Sequence, residues 1–86
     1  MKYQLFFTQQ AKKDLERIPS SAQPRIRHAF EMIATNPYQG KRLKGELKGL
    51  FSYRMGDYRI IYEIHHQRVT VMVLKIGHRK DIYRHN

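Results

Sequence analysis

Residues 56–65 read Gly-Asp-Tyr-Arg-Ile-Ile-Tyr-Glu-Ile-His, and this stretch decides the fold. Gly56-Asp57 is a residue pair typical of tight hairpin turns, and the residues after it alternate with a period of two. One face of the resulting strand carries Tyr58, Ile60, Tyr62 and Ile64. The opposite face carries Arg59, Ile61 and Glu63. Because successive side chains point to opposite faces of a strand, the stretch predicts a half-buried strand with Arg59 on its less apolar side.

Two further segments extend this strand into an antiparallel meander. Residues 51–55 precede the turn at Gly56-Asp57, and residues 69–76 follow the polar run at 65–68. The last segment is apolar on both faces, which is typical of a strand with neighbours on both sides. Strict alternation places Lys75 on the same face as Val71 and Val73.

The first half of the chain predicts one strand and two helices. Residues 3–7 are aromatic and apolar, and Thr8 after them is a good helix N-cap. Apolar residues then recur at helical spacing in two stripes, Ala11, Leu15 and Ile18, and Ile26, Ala29, Phe30 and Ile33. Pro19 ends the first helix, and Asn36-Pro37 ends the second.

These elements predict an α+β fold in a single domain over residues 1–86. We expect two N-terminal helices packed on one face of a four-stranded, mostly antiparallel sheet. Since the segment at 38–49 is polar, basic and punctuated by glycine, it is expected to be a loop with at most a short strand. The face of the sheet away from the helices is then partly open and lined by cations.

The charge of the chain indicates a polyanionic partner. Lysine and arginine number 17 against seven aspartates and glutamates, for a formal net charge of +10. Most of the excess lies in residues 38–86. Such a charge attracts anions over long range, so nucleic acid, and RNA first, is the expected partner. The plainer alternative is a solvated basic face without a specific ligand.

Several classes of protein are disfavoured. The chain holds no cysteine, so a disulfide framework and a cysteine zinc site are both excluded. The apolar run at 5–7 is too short for a signal peptide, and no stretch approaches the ~20 apolar residues of a membrane span. We therefore expect a cytoplasmic protein with no membrane partner.

Metal and cofactor chemistry has little support in the sequence. His65 and His66 are adjacent and would point to opposite sides of a strand, while His78 and His85 lack the spacing of zinc sites. No carboxylate pair is spaced for acid and base roles, and no glycine loop is suited to phosphate. We expect neither a metal nor a cofactor.

Cations set among aromatic residues are the chemical signal that stands out. Tyr53-Arg54, residues 58–62 and residues 77–84 all combine the two. Aromatic faces can stack unpaired bases while arginine holds phosphates, which is how single-stranded RNA is commonly bound. The structural alternatives are that Tyr58 and Tyr62 pack in the core, that Arg54 is simply exposed, and that Arg59 pairs with an acid. Asp57 and Glu63 are the available acids.

Three motifs together resemble the RelE branch of the RelE/ParE toxins. They are Lys44-Gly45 before a strand, residues 56–64 as quoted above, and residues 71–83, which read Val-Met-Val-Leu-Lys-Ile-Gly-His-Arg-Lys-Asp-Ile-Tyr. The likeness covers essentially the whole chain. It implies a microbial-ribonuclease-like fold and a toxin of a type II toxin–antitoxin pair that cuts messenger RNA in the ribosomal A site. An acidic antitoxin would silence it.

The resemblance also implies which residues do the work. The candidate catalytic residues are Arg54, Arg59, His78, Arg79 and Tyr83. The candidate RNA-binding residues are Lys41, Arg42, Lys44, Lys48 and Lys80. We expect the free toxin to be a monomer that forms a heteromeric complex with its antitoxin.

Cleavage without a metal is chemically reasonable, because RNA supplies its own nucleophile, the 2′-hydroxyl. A base must take its proton, cations must stabilise the crowded phosphorane, and an acid must protonate the leaving oxygen. Arginine suits the second task, and Arg59 and Arg79 are assigned to it. The best-studied members of the family place lysine where Arg54 stands here, and a guanidinium is a poor base. The base is therefore left open among Lys41, Lys44, His78 and Tyr83.

Two rival functions share this fold. A ParE-like protein would inhibit DNA gyrase without catalysing a reaction. A toxin relic or plain RNA-binding module would need the basic face but no acid or base. The motif at 77–83, with its histidine, arginine and tyrosine, favours the ribonuclease reading.

Overall fold

The structure, a computed structural model, describes residues 2–78 and contains five strands and two α-helices within them. The strands are β1 (Gln4–Phe7), β2 (Lys41–Arg42), β3 (Phe51–Met55), β4 (Tyr58–His65) and β5 (Thr70–His78). The helices are α1 (Gln9–Arg17) and α2 (Gln23–Thr35). Short 3-10 turns lie at Ser20–Ala22, Pro37–Gln39, Gly45–Leu47 and His66–Arg68.

The strands form one mixed sheet in the order β1-β5-β4-β3-β2. β1 pairs with β5 in parallel, and the other three pairings are antiparallel. The α+β class and the placement of β5 between two strands are confirmed. The prediction of four strands is wrong, because β2 adds a fifth through two residues that pair with Phe51 and Ser52. Two exposed cations carry no periodic pattern, so only the pairing reveals this strand.

The helices cover one face of the sheet, as predicted. The Thr8 hydroxyl accepts a hydrogen bond from the backbone N–H of Ala11 at 3.0 Å, which confirms it as the N-cap of α1. α1 packs mainly against β5, and α2 packs against β3 and β1. Ala11, Ile26 and Ile33 from the two stripes are at most 1% exposed.

A β-bulge in β5 changes which face its side chains occupy. Ile61 lies opposite Lys75, but the next residue, Tyr62, lies opposite Val73, so Leu74 is the extra residue. Lys75 therefore shares the face of Arg59, and its predicted grouping with Val71 and Val73 is wrong. Strict alternation would place an ammonium under the helices, where a buried charge without a partner is costly. The bulge instead turns Ile76 into the core, where it is 3% exposed.

Tyr62 is the largest fully buried side chain among the described residues. Its ring stacks on Phe51 with centroids 5.8 Å apart and an interplanar angle of 17°. Its hydroxyl donates a 2.6 Å hydrogen bond to the carbonyl oxygen of Pro37. Of the two readings of this tyrosine, core packing is therefore confirmed. Burial raises the pKa of the hydroxyl to about 12.

Neither helix in the part of the chain that the structure describes is long and apolar enough to cross a membrane.

Candidate active site

Two arginines face each other on the side of the sheet away from the helices. Arg54 of β3 and Arg59 of β4 are register partners, so their side chains leave the same face side by side. Like charges that lie directly opposite each other in a sheet are destabilising. The Arg54 Nε donates to the carbonyl oxygen of Gly56 at 3.4 Å, which leaves most of its guanidinium available. This pair is a cost to folding that a bound anion would offset.

Arg59 carries an unsatisfied donor. Its Nε is buried and has no hydrogen-bond partner within residues 2–78. Neither Asp57 nor Glu63 forms the ion pair with Arg59 that the sequence allowed, and Glu63 instead contacts His65 at 2.9 Å. A buried donor without an acceptor costs free energy, so such groups are rare unless a ligand completes them.

Arg59 is flanked on this face by a glycine and a buried isoleucine. Its register partner on β5 is Gly77, which has no side chain. The next pair along the same face is Ile61 with Lys75, and Ile61 is 0% exposed. Ser52, the register partner of Ile61 on β3, is 2% exposed, so the centre of this face is buried and cations lie around it. Sequence reasoning did not select Lys75, although the improbability of a buried ammonium after Val73 was a signal that the alternation breaks.

His78 lies on the other side of this end of the sheet. It pairs with Tyr58, and the two rings meet edge to face with centroids 6.0 Å apart. Both line a cleft of about 350 Å³ between α1 and the adjoining ends of β4 and β5. Its other polar lining residues are Gln10, Asp14, Arg17 and Lys75. Lys75 thus borders both the cleft and the face that carries Arg59.

Contacts from α1 fix the end of β5 that carries His78. The Thr8 hydroxyl donates to the carbonyl oxygen of Leu74 at 2.7 Å, at the bulge. The Asp14 carboxylate accepts from the backbone N–H of Ile76 at 2.8 Å. It also accepts from the Gln10 side chain at 2.8 Å. Sequence reasoning missed Asp14, because its partner is a backbone group 62 residues away and leaves no trace in local spacing.

The predicted RNA-binding residues in the basic loop are all exposed cations. Lys41, Arg42, Lys44 and Lys48 occupy β2 and the segment that leads to β3. The Arg42 guanidinium lies over the ring of Phe51 at 5.8 Å from its centroid. Register places Lys41 on the face of Ser52, which is also the face of Arg54 and Arg59. The basic loop therefore continues the cationic surface toward the β2 edge.

Three predicted residues cannot be placed. Arg79, Lys80 and Tyr83 lie outside the described residues. The structure brings Arg54 and Arg59 together, and it sets His78 across the strand from them at the same end of the sheet. No group of three metal-ligating side chains occurs within residues 2–78.

Comparison with known proteins gives the family. Residues 5–83 match the family described as the ParE toxin of the type II toxin–antitoxin system parDE. The chain is 41% identical over 90 residues to a Mycobacterium tuberculosis protein named Toxin RelG, with 98% of this chain and 99% of that protein covered. It is 36% identical over 86 residues to Toxin RelE of the same organism, with 98% and 89% covered.

A solved structure supports the same grouping. The crystal structure of the toxin–antitoxin complex RelBE2 from Mycobacterium tuberculosis matches with a TM-score of 0.84 and 36% identity, covering 92% of this chain and 100% of that one. The fold, the family match over residues 5–83 and two relatives above 30% identity agree. The chain belongs to the RelE/ParE superfamily of toxins of type II toxin–antitoxin systems.

Proposed function

We propose that this toxin is an endoribonuclease that cleaves messenger RNA on the ribosome and so inhibits translation. The observation that carries the proposal is the Arg54–Arg59 pair, together with the buried Arg59 Nε that has no hydrogen-bond partner within the described part of the chain. A phosphate at this position supplies the missing acceptor and offsets the repulsion between the two guanidinium groups. A protein that only needed a basic surface would have no use for a buried donor.

The reaction is an internal phosphoryl transfer. The 2′-oxygen of a ribose attacks the adjacent phosphorus, the bond to the 5′-oxygen of the next nucleotide breaks, and the products carry a 2′,3′-cyclic phosphate and a 5′-hydroxyl. One proton leaves the 2′-hydroxyl, and one proton joins the departing 5′-oxygen. The chain supplies cations for the phosphorane and groups that carry these two protons.

Arg59 and Arg54 hold the non-bridging oxygens of the scissile phosphate. A planar guanidinium donates two parallel hydrogen bonds to such oxygens, which a lysine cannot do. Lys75 adds a third positive charge from β5. Loss of one such donor from a preorganised site typically costs about 2.7–4 kcal/mol in the transition state.

His78 carries a proton in this scheme. An RNA strand that crosses the end of the sheet where β4 begins and β5 ends meets Arg59 on one side and His78 on the other. The cleft at His78 is open enough for a ribose, and Tyr58 supports the imidazole from the edge. Arg54 takes no part as a base, because a guanidinium is a poor one. Arg79, which follows His78 directly, and Tyr83, five residues after His78, complete the predicted set.

The proposed partners of the toxin are an acidic antitoxin and RNA. The RelBE2 structure of Mycobacterium tuberculosis is a toxin–antitoxin complex, and an acidic antitoxin is proposed here to cover the basic face of the free, monomeric toxin. Lys41, Arg42, Lys44, Lys48 and Lys80 hold RNA through its phosphates. Because ribosomes are the site of action, the toxin acts in the cytoplasm.

Purified toxin added to a translating extract tests the proposal. Messenger RNA should be cut within codons on the ribosome, as mapped by primer extension, and the Arg59→Gln variant should leave it intact.

The second candidate is inhibition of DNA gyrase without catalysis. It is favoured by the description of the matching family as the ParE toxin of parDE. Intact messenger together with gyrase–DNA complexes that accumulate only in the presence of the toxin would replace the first proposal with this one.

A further inference from the structure

The basic loop encloses an apolar pocket that the proposed cleavage site does not use. The pocket holds about 480 Å³ and lies between β2, the turn at Gly45–Leu47 and the start of β3. Leu43, Leu50 and Phe51 supply its apolar wall. Phe51 is 8% exposed, whereas both leucines are only half-buried and present their side chains to the opening.

The loop around the pocket is held in one shape by its own backbone. The Leu43 N–H donates to the Leu50 carbonyl at 3.0 Å and closes the loop at its base. Leu50 in turn donates to Leu47 at 3.0 Å. Gly45 and Gly49 have φ angles of +68° and +96°, which residues other than glycine rarely adopt. The pocket is therefore preformed, which lowers the entropic cost of filling it.

An RNA base is a poor occupant, although the loop is basic. A base binds by stacking on an open aromatic face. Because β3 lies between β2 and β4, the two faces of Phe51 are already covered, by Arg42 at 5.8 Å on one side and by Tyr62 at 5.8 Å on the other. What remains at the opening is aliphatic, and an aliphatic wall fits an apolar side chain.

The charge at the rim of the pocket favours a negatively charged peptide as the source of this apolar side chain. Arg42, Lys44 and Lys48 all line it, and Glu46 is the one acid in the same loop. A peptide that enters here must therefore carry negative charge beside its apolar anchor. An acidic antitoxin, the partner in the proposed function, has this chemistry.

We propose that this pocket, formed by Leu43, Leu50 and Phe51 under the cations of the basic loop, anchors one large apolar side chain of an acidic segment of the antitoxin. The proposal rests on the proposed toxin–antitoxin pairing. It places an attachment point of the antitoxin at the β2 edge, beyond the arginine pair. The antitoxin then holds the toxin even where it does not touch the scissile-phosphate site.

The test is a binding measurement on leucine variants of the whole toxin. The probe is the protein encoded by the acidic reading frame next to the toxin gene, titrated by calorimetry. Leu43→Ala should weaken binding about 10- to 100-fold, since it removes much of the apolar wall. Leu47→Ala is the matched control, because Leu47 is half-buried in the same loop but does not line the pocket, and it should change affinity less than about 3-fold.

Messenger cleavage by the free variants separates this inference from the proposed function. Leu43→Ala should cleave at the wild-type rate, because Leu43 belongs to neither the phosphate site nor the RNA-binding set. If both alanine variants bind the antitoxin as the wild type does, the pocket is not an anchor, while the toxin–antitoxin pairing stands. If the messenger stays intact but Leu43→Ala still weakens the complex, the pocket stands and the ribonuclease proposal fails.

A crosslinking experiment guards against a variant that fails to fold. A photoreactive phenylalanine derivative replaces Lys48 at the exposed rim, and the toxin is irradiated with the antitoxin or with a stalled ribosomal complex. A crosslink to an antitoxin peptide that contains Leu, Ile or Phe beside Asp or Glu supports the proposal. A crosslink to RNA with none to the antitoxin overturns it.

Discussion

The two faces of strand β4 treat their polar groups in opposite ways. On the helix face, Tyr62 is fully buried, and its hydroxyl has a 2.6 Å hydrogen bond to the Pro37 carbonyl. On the other face, Arg59 has a buried Nε that finds no hydrogen-bond partner among the described residues, and it lies directly opposite the like charge of Arg54. Two residues of one strand thus differ: the buried polar group of Tyr62 has a hydrogen-bond partner, whereas the buried Nε of Arg59 has none within residues 2–78. This difference supports the proposal that the first face serves stability and the second binds an anion.

The largest effect on cleavage should come from a substitution that keeps the positive charge of Arg59 but removes its planar guanidinium group. Arg59→Lys should lower the rate of messenger cleavage about 100- to 1000-fold, because an ammonium cannot make paired hydrogen bonds to the phosphate. Single-turnover cleavage on stalled ribosomes measures this rate. Arg68→Lys, in the exposed turn at His66–Arg68, is the matched control and should cleave normally. Near-normal cleavage by Arg59→Lys would mean that charge alone is needed on this face.

The helix face should respond in stability and not in rate. Tyr62→Phe leaves the Pro37 carbonyl buried without its donor, so the free energy of unfolding should fall by about 1–3 kcal/mol in urea denaturation. The cleavage rate per folded molecule should be unchanged. Gly40→Ala should disturb the same hydrogen bond and also lower the free energy of unfolding, because the added Cβ would collide with the Tyr62 hydroxyl oxygen. If Tyr62→Phe lowered the rate without lowering stability, the division between the two faces would be wrong.

The same comparison shows how far the sequence could be read. The alternation in residues 58–64 is long enough to place Arg59 and Tyr62 on their correct faces. Alternation failed in β5, where the bulge at Leu74 moves Lys75 to the arginine face. A bulge depends on how two strands pair and on the cost of burying an ammonium, and neither is written in local periodicity.

Long-range contacts limited the prediction of the site itself. Arg54 and Arg59 could be named from the family motif, but their direct opposition and the missing partner of Arg59 follow only from the register. In the sequence, Asp14 is only a polar residue on a predicted helix, and its hydrogen bond to the Ile76 N–H appears only in the structure. Strand β2 is too short for any pattern. What was predictable is what repeats along the chain, and what was missed joins distant segments.

A pH experiment sharpens the assignment of Tyr62 to the stability face. Its pKa is raised to about 12, above the value of about 10 in the unfolded chain. The folded state therefore holds this proton more tightly, so the contribution to stability is complete below about pH 10 and is lost as the pH rises through about 12. The wild type should lose about 1.4 kcal/mol per pH unit in this window relative to Tyr62→Phe. Equal slopes for the two proteins in urea denaturation at pH 10–12 would contradict this.

The smallest effect tests whether the arginine pair opposes folding. Arg54→Gln removes one of two like charges that lie opposite each other, so the free energy of unfolding should rise by roughly 0.2–1 kcal/mol in low salt. The gain should shrink at high salt, because ions screen the repulsion between exposed charges. Arg27→Gln, an exposed arginine on α2 in an equally basic chain, controls for net charge. An equal gain in the free energy of unfolding in both variants would mean that net charge alone is responsible. A gain confined to Arg54→Gln, together with slower cleavage, would mean that this face gives up stability in order to bind an anion.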